Sequence, residues 1–312
     1  MSAAALLGLV LLATFALLSL VLSAITALWW RTAGHNRAVR SVDLLTLRLL
    51  PAAGALLLVL AVVLPAFMRY EPLGEREAAG PLLWALALFA TAGLAHGIWR
   101  GARACSAARA LLARCRAGTA YEASAGRWVQ LLAAREPLVA VIGAWRPRIV
   151  ASESVRAACS AEEFRAVLAH ELAHCATRDN LKLLLLLSAP DALAWTPLAT
   201  SVTAHWRAAA EREADQRAAG SDPGRRLALA AGLLKVARLV QDHGGPRPEL
   251  GMPVASDDVA GRVRGLLAPP RQPRHARVPL ALALGTLLLP LLALPCYPLV
   301  HELIERLVGL GR

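Results

Sequence analysis

Long apolar runs alternate with arginine-rich segments along this chain. Four runs are long enough to cross the hydrocarbon layer of a membrane as a helix, which takes about 20 residues: residues 4–29, 49–68, 81–99 and 278–300. The first run ends in Trp29-Trp30-Arg31 and lacks the basic start and small-residue cleavage site of a signal peptide, so we interpret it as a retained anchor. The pattern predicts four transmembrane helices.

A fifth apolar stretch, residues 181–202, differs from the other four because it carries polar and helix-breaking residues. Asp191 lies near its centre, where a carboxylate in hydrocarbon is costly without a partner. Pro190 and Pro197 each lack the backbone N–H that a continuous helix needs. We therefore expect an interfacial helix or a re-entrant pair, which returns the chain to the side from which it came.

The segment between the third and fourth runs has the pattern of a folded domain. Residues 100–134 are rich in arginine and alanine and predict helix, whereas the β-branched runs 137–143 and 147–152 predict a β-hairpin. Ser160 followed by Glu163 is a capping-box pattern, which predicts that a helix begins there. The expected buried stripe of that helix consists of Phe164, Val167, Leu168 and Leu172.

These elements predict a mainly α integral membrane protein with an α+β domain inserted between its membrane runs. Residues 1–99 would hold three transmembrane helices, residues 100–277 the inserted domain, residues 278–300 the last helix and residues 301–312 a short tail. Composition agrees, because a hydrophobic content of 57% and a mean hydropathy of +0.49 are rare in soluble enzymes of this length.

The net charge of +12 bears on membrane topology rather than on nucleic-acid binding. Its positive residues are spread over many short segments, and we find no nucleic-acid motif. Arginines dominate after the first and third runs, whereas Glu71, Glu75 and Glu77 follow the second. The positive-inside rule then predicts that the N-terminus lies outside and that residues 100–277 lie in the cytoplasm. The preference for arginine, alanine and leucine is typical of a GC-rich bacterial genome, so we expect a bacterial inner (plasma) membrane.

Candidate chemistry lies in the stretch AVLAHELAHCATRDN, within the helix that begins after Ser160. His170 and His174 are four residues apart and share one helical face, so both imidazoles can reach one Zn²⁺ at about 2.0–2.1 Å. Glu171 is offset toward the open side of the metal, where it can take a proton from bound water. Polar residues in an apolar helix are costly without a partner, so this pattern predicts a zinc site with Glu171 as catalytic base.

A third protein ligand is needed, with the fourth position left to water. In AAAEREADQRAAG, Glu211 and Asp215 are again four residues apart and share a face. We predict that Glu211 binds the single zinc ion of the chain and that Asp215 accepts the second N–H of a ligand histidine. The arginine and glutamate neighbours of Glu211 are also typical of an ordinary charged helix face.

Two further polar residues each have two interpretations. Asp179, just past the histidine helix, orients His174 or forms a polar pair with Arg178 at the helix end. His96, near the end of the third run, faces the membrane interface or is an intramembrane functional group.

HELAHCATRDN, followed by an apolar segment and EREAD and preceded by RPRIVAS and a capped helix, resembles the BlaR/MecR family of bacterial membrane zinc peptidases, members of the gluzincin group. The resemblance covers most of the chain, including three N-terminal spans, a cytoplasmic zinc domain and a further span. It implies that His170, His174 and Glu211 bind zinc, that Glu171 is the catalytic base and acid, and that Asp215 orients a ligand. The stretch GRVRGLLAPP resembles the arginine-containing helix that closes such domains.

The function that this resemblance implies is endopeptidase activity on a protein or peptide substrate at the cytoplasmic membrane face, in regulatory signalling. Gluzincins usually add a cationic or imidazole donor to the oxyanion, and His205, Arg207 and Arg212 are candidates that spacing does not distinguish. Antibiotic-receptor members continue outside the membrane into a β-lactam-sensing domain. Only residues 301–312 follow the last run here, so we expect that sensor to be absent.

Two alternatives stay open at the level of sequence. HtpX-like and CAAX-protease-like quality-control peptidases share HExxH and ExxxD, but they typically place a membrane hairpin between the motifs, and this chain has one long apolar stretch there. A catalytically silent membrane receptor or scaffold is the alternative of another class. Glu171 argues against it, because a structural zinc site does not need that carboxylate.

Overall fold

The described part of the chain forms two compact units. A computed structural model describes residues 2–34, 39–70, 79–115, 118–122, 128–132, 136–243, 258–268 and 277–309. Unit 1 consists of Met1–Trp99, Ser188–Thr203 and His275–Arg312, and unit 2 consists of Arg100–Leu187 and Ala204–Arg274. The loop charges at 71–78 and 269–276, on which part of the topology argument depends, lie outside the described residues.

Unit 1 begins with long apolar helices. Helix α1 (Ala3–Trp29) continues as a π-helical turn, and α2 (Ser41–Leu58) continues through a π-helical turn into α3 (Leu64–Tyr70). Helix α4 (Pro81–Arg114) runs well past the predicted end of the third span at residue 99. Three helical stretches, Ala3–Thr32, Ser41–Tyr70 and Pro81–Arg114, are long and apolar enough to cross a membrane, in agreement with the first three predicted runs.

The irregular turn between α2 and α3 has a local cause. Pro65 has no N–H to donate to the carbonyl of Ala61, and the backbone widens into a π-helical turn at Val59–Val63. The hydroxyl of Tyr297 donates to the freed Ala61 carbonyl at 3.1 Å. A side chain thereby satisfies a carbonyl that an apolar bundle would otherwise leave unpaired.

Unit 2 contains a four-stranded sheet. Its strands are β1 (Gly118–Glu122), β2 (Trp128–Leu132), β3 (Val139–Ile142) and β4 (Arg148–Ser152), in the order β1-β2-β4-β3. The pair β3/β4 is antiparallel and confirms the predicted hairpin, whereas β2 and β4 are parallel. The prediction of helix across residues 100–134 was wrong beyond Arg114, because β1 and β2 lie in that range and pair with each other.

Helices complete unit 2 and connect it to unit 1. They are α5 (Glu153–Ala158), α6 (Ala161–Thr177), α7 (Asp179–Ser188), α8 (Pro197–Ala219), α9 (Pro223–His243) and α10 (Val259–Leu267). One face of the sheet packs on α6 and α9, and the resulting core includes the predicted stripe residues Phe164, Val167 and Leu168, with Leu172 at its margin. The sheet thus supports the helix that carries the histidines.

The apolar stretch 181–202 does not form one helix. Helix α7 ends at Ser188, a short 3-10 turn covers Ala192–Trp195, and α8 begins at Pro197. The break coincides with Pro190 and Asp191, as the sequence predicted. A single straight span through this stretch is therefore not present.

The last apolar run is divided in the same way. Helix α11 (Arg277–Ala293) ends before a 3-10 turn at Leu294–Cys296, and α12 (Tyr297–Gly309) follows. Ile304 and Val308 of α12 belong to an apolar cluster that also contains Leu6 and Val10 of α1. Among the described residues this run does not reach the length of a spanning helix, so a fourth crossing stays a prediction.

Candidate metal centre and active site

Helix α6 carries three of the candidate residues and has a fixed start. Ser160 Oγ accepts from the backbone N–H of Glu163 at 3.2 Å, and Glu163 Oε2 accepts from the Ser160 N–H at 2.7 Å. This is the predicted capping box, and the Lys235 ammonium of α9 adds an ion pair to Glu163 at 2.6 Å. The start of α6 is thereby fixed against α9, ten residues before His170.

The three predicted zinc ligands converge. His170 Nε2 lies 3.1 Å from His174 Nε2 and 3.3 Å from Glu211 Oε2, and His174 Nε2 lies 3.6 Å from Glu211 Oε1. In a tetrahedral site with bonds of 2.0–2.1 Å, ligand atoms are about 3.3 Å apart. His170, His174 and Glu211 are buried and offer donor atoms within 4.8 Å of one another. This nitrogen and oxygen donor set fits a zinc ion.

Carboxylates bind the far nitrogens of both histidines. Asp215 Oδ1 lies 2.9 Å from His170 Nδ1, and Asp179 Oδ2 lies 2.8 Å from His174 Nδ1. With the Nδ1 hydrogens donated to these carboxylates, the Nε2 lone pairs of both rings face the centre, where a metal could bind, although Arg262 Nη2 also lies 3.3 Å from His170 Nε2. Of the two interpretations of Asp179, the geometry therefore favours the one in which it orients His174.

A sharp turn brings Asp179 to His174. Arg178 ends α6 in the left-handed conformation, with φ of 53°, and α7 begins at the next residue. Thr177 Oγ1 donates to Asp179 Oδ2 at 2.6 Å, and Lys182 Nζ pairs with Oδ1 at 3.0 Å. Asn180 donates to the Val141 carbonyl of β3 at 2.8 Å, which attaches the start of α7 to the sheet.

Arg262 lies on α10, the helix that the sequence identified only by its resemblance to an arginine-containing closing helix, without a partner for the arginine. Its guanidinium donates to both oxygens of Asp215, at 2.9 Å from Nε and 2.7 Å from Nη2. Nη1 also forms an ion pair with Glu211 Oε2 at 2.8 Å, although without hydrogen-bond alignment. The available signal was an arginine on the same face as apolar Leu266 in a short helix, since such a position predicts burial and a partner.

Both ends of α10 are fixed. Asp258 accepts from the Gly261 N–H at 2.9 Å and caps its start. At the other end, Arg226 of α9 donates to the carbonyls of Leu266 at 2.7 Å and Gly265 at 3.0 Å. These bonds satisfy carbonyls that a helix end leaves free, and they hold the backbone that presents Arg262.

Neighbouring charges set the protonation of the donor groups. Burial alone would raise the pKa of Glu211, but Arg262 and the two histidines outweigh it and hold that pKa well below its ordinary value. Burial opposes protonation of His174, yet Asp179 and Glu211 raise its pKa to about 10. The His174 ring therefore lies in negative potential, which attracts a metal cation as it attracts a proton, and the Glu211 carboxylate is held in the ionised form that binds a metal.

Glu171 differs from the other acidic residues of the centre. It is fully buried, and neither carboxylate oxygen has a hydrogen-bond partner among the described residues. Burial raises its pKa to about 7, although the two histidines oppose that shift. A buried carboxylate without a partner is costly, which is typical of a group kept for chemistry rather than for stability.

The three candidate oxyanion donors lie in different surroundings. His205 and Arg212 are exposed on α8, whereas Arg207 is half-buried and one turn before Glu211. Burial lowers the pKa of Arg207, and the Glu211 carboxylate opposes that effect. Arg207 is therefore coupled electrostatically to Glu211. His96 lies elsewhere, in unit 1, stacked on Trp195 with ring centroids 4.4 Å apart.

Comparison with known protein families adds an independent observation. The family model described as BlaR1 peptidase M56 matches residues 99–264, more than half of the chain. The matched range contains all the donor residues above and Arg262. A search of curated proteins found no match to this chain.

Proposed function

Because the chain belongs to the BlaR1 peptidase M56 family, we propose that it is a membrane zinc endopeptidase whose catalytic centre is the His170, His174, Glu211 cluster. The observation that carries this proposal is the convergence of three buried donor groups beside a buried, unpartnered Glu171. A purely structural zinc site would not need Glu171. The arrangement therefore favours an enzyme over a silent receptor or scaffold.

His170 and His174 would hold the ion through Nε2, and Glu211 through its carboxylate. When bound, zinc would lower the pKa of a coordinated water and polarise the scissile carbonyl of a peptide. Asp215 and Asp179 would keep both imidazoles in the tautomer that presents Nε2. The protein thus supplies both the donor atoms and their orientation.

Glu171 would be the general base and acid. A buried carboxylate beside the donor groups can accept a proton from water and return it, which suits both halves of peptide hydrolysis. Its oxygens have no competing hydrogen bond among the described residues. It is therefore able to take a proton from water and pass it to the departing amine.

Arg262 would be a positioning residue. It holds Asp215 at both oxygens and pairs with Glu211, so it fixes the two acidic groups of α8 relative to α6. Its positive charge also keeps both carboxylates ionised, since it lowers the pKa of each despite burial. Arg207 is our candidate for the donor that stabilises the oxyanion, because it is half-buried near Glu211.

The substrate class that we propose is a protein or peptide met at the cytoplasmic face of a bacterial inner membrane, in a regulatory role. Three membrane-length helices support attachment to a bilayer, and the arginine-rich start of unit 2 supports the cytoplasmic side. The peptidase family supports a polypeptide substrate.

Comparison of purified wild-type protein with Glu171→Gln tests the function. Cleavage of an unfolded protein such as casein should be lost in Glu171→Gln while bound zinc is unchanged, because glutamine keeps the shape but cannot exchange the proton. Glu162→Gln, on the exposed face of the same helix, is the matched control and should cleave as wild type does. Equal cleavage by wild type and Glu171→Gln would contradict the proposal, and a zinc-loaded wild type that cleaves no protein substrate offered would favour the receptor alternative.

A further inference from the structure

Residues 189–196, the linking segment between α7 and α8, contribute one partner of a buried ion pair in unit 1. Asp191 Oδ2 lies 2.5 Å from Nη1 of Arg48, a residue of α2. Arg48 is 0% exposed and Asp191 is 2% exposed, so both charges are removed from solvent. Groups of this kind are rare inside membrane-length helices and usually mark function.

Hydrogen bonds add to the ion pair on either side of it. The backbone N–H of Ala192 donates to Ser19 Oγ of α1 at 3.4 Å. Asp191 Oδ1 accepts from the Ala194 N–H at 3.1 Å and so caps the 3-10 turn. The carboxylate of Asp191 therefore has two tasks, binding Arg48 and shaping the segment that carries it.

Helix α4 is shaped to admit the same segment. A Cβ added to Gly97 would lie 2.4 Å from the Ser188 carbonyl oxygen, and one added to Gly93 would lie 3.4 Å from that of Pro190. His96, between these glycines, stacks on Trp195. The backbone of the segment thus approaches α4 where that helix has no side chains.

These contacts indicate how far the segment reaches along the helices of unit 1. Ser19 lies ten residues before Trp29, the end of α1, which corresponds to about 15 Å along a helix. Arg48 lies seven residues after the start of α2, and Gly93 lies several residues before residue 99 on α4. All three partners lie on the side of the bundle nearer the arginine-rich ends, so the segment enters there and returns.

The Arg48 guanidinium has few partners. Nε and Nη2 of Arg48 have no hydrogen-bond partner among the described residues, so Asp191 supplies the only contact found there for that guanidinium. Loss of Asp191 would leave a buried charge with nothing to compensate it. Among the described residues, compensation of the Arg48 charge therefore depends on one bond.

The two ends of the segment lead directly to the proposed metal centre. Helix α7, which enters it, begins with Asp179, the partner of His174. Helix α8, which leaves it, runs without a break from Pro197 to Ala219 and carries Glu211 and Asp215. The segment therefore continues directly into both helices that carry residues of the centre.

We propose that Arg48 and Asp191 are positioning residues of the peptidase: they fix a re-entrant segment in the membrane unit and thereby set the geometry of the centre. The membrane helices are then part of the enzyme and not only its anchor. The activity readout rests on the proposed function, whereas the structural readout below does not.

The first test is a double-mutant cycle of Arg48→Gln and Asp191→Asn, measured by kcat, KM and bound zinc in the full-length protein. Each single variant should lower kcat by about 10- to 100-fold, the scale of a small misplacement of catalytic groups, with KM and zinc little changed. The double variant should be no worse than either single one, because both remove the same bond. Arg31→Gln, an exposed arginine of the same unit, is the control and should keep wild-type kcat.

The second test perturbs the segment without a change of charge. Gly97→Ala should lower kcat, because its new methyl group meets the Ser188 carbonyl, whereas Gly8→Ala meets nothing within 4 Å and should not. Unchanged kcat in Gly97→Ala and in both charge variants would overturn the proposal. Additive losses in the double variant, or losses of zinc that match the losses of kcat, would do so as well.

The structural readout is a disulfide between Ser19→Cys and Ala192→Cys, in a chain whose five native cysteines are replaced by alanine. It should form readily with Arg48 present and poorly with Arg48→Gln. Equal cross-linking in both would overturn the proposal even if the wild type is active. Arg48-dependent cross-linking in a protein without peptidase activity would instead remove the proposed function and leave the re-entrant segment in place.

Discussion

The two units of this molecule each bury charged groups, and they do so in different ways. In unit 2, Arg262, Asp215, Glu211 and two histidines form a network in which Asp215 and Glu211 each contact more than one partner. In unit 1, Arg48 contacts Asp191 through one nitrogen. Removal of a single member therefore has different consequences in the two places.

The two clusters also differ in how readily the sequence reveals them. The histidines and the acidic residues of the unit 2 network lie on two helices, in pairs four residues apart, which produces a recognisable pattern. The unit 1 pair joins residues 143 positions apart without any local repeat. The sequence signal for this pair is an aspartate within an apolar stretch. It indicates that the aspartate has a partner, but it does not identify that partner.

The largest expected effect on stability is at Arg262. Arg262→Met would leave Asp215 and Glu211 as buried carboxylates without their cation, and loss of one partner of a buried pair costs about 3–5 kcal/mol. Denaturant unfolding in detergent measures this. Arg264→Met, on the exposed side of the same helix, should cost little. Equal stabilities of the two variants would show that Arg262 does not hold the acidic groups together.

A somewhat smaller effect is expected in unit 1. Arg48→Leu should destabilise the protein by about 3 kcal/mol, because it strands Asp191 among apolar helices. Arg48→Leu combined with Asp191→Leu should recover most of that loss, since neither charge remains. If the double variant is no more stable than Arg48→Leu alone in the same unfolding measurement, the two charges do not compensate each other's burial.

Asp179 provides a test of metal affinity rather than of stability. Asp179→Asn keeps the shape but weakens the acceptor for His174 Nδ1, and loss of such a partner typically lowers metal affinity 10- to 100-fold. Competition with a chelator of known zinc affinity measures the change. Asp222→Asn, at an exposed loop position, should bind zinc as wild type does.

The smallest expected effect is at the start of α6 and depends on pH. Hydrogen bonds from Lys235 and from Ser160 hold the pKa of Glu163 below its ordinary value of 4.5. A lowered folded-state pKa contributes stability above the ordinary pKa, and this contribution is lost as pH falls through the lowered value. Glu163→Gln should therefore cost about 1 kcal/mol at pH 7 and progressively less below pH 4.5. A cost that does not change with pH would assign the effect to shape instead of charge.

Local patterns predicted the parts of the fold that depend on local physics. The capping box at Ser160 and the stripe Phe164, Val167 and Leu168 follow from helix geometry, and the structure has both. The break in 181–202 followed from Pro190 and Asp191. In contrast, β1 and β2 are held by pairing with each other and with β4, so the arginine- and alanine-rich composition of 100–134 gave the wrong prediction there.

The residues of the candidate site also differ in whether local spacing predicted them. The spacing within α6 and within α8 placed His170, His174, Glu211 and Asp215 on two helical faces, and the structure brings those faces together. Arg262 comes from a separate short helix 47 positions after Asp215. No local spacing connects it to the donors, because its role arises from the packing of α10 on α9.

The most direct test of the central claim is the zinc content of the purified protein, compared between wild type and His174→Ala. We expect one tightly bound zinc ion per wild-type chain and its loss in His174→Ala, with zinc retained in the exposed control His205→Ala. Absence of zinc from the wild type after zinc supplementation, or equal zinc in wild type and His174→Ala, would contradict a metal centre at these residues.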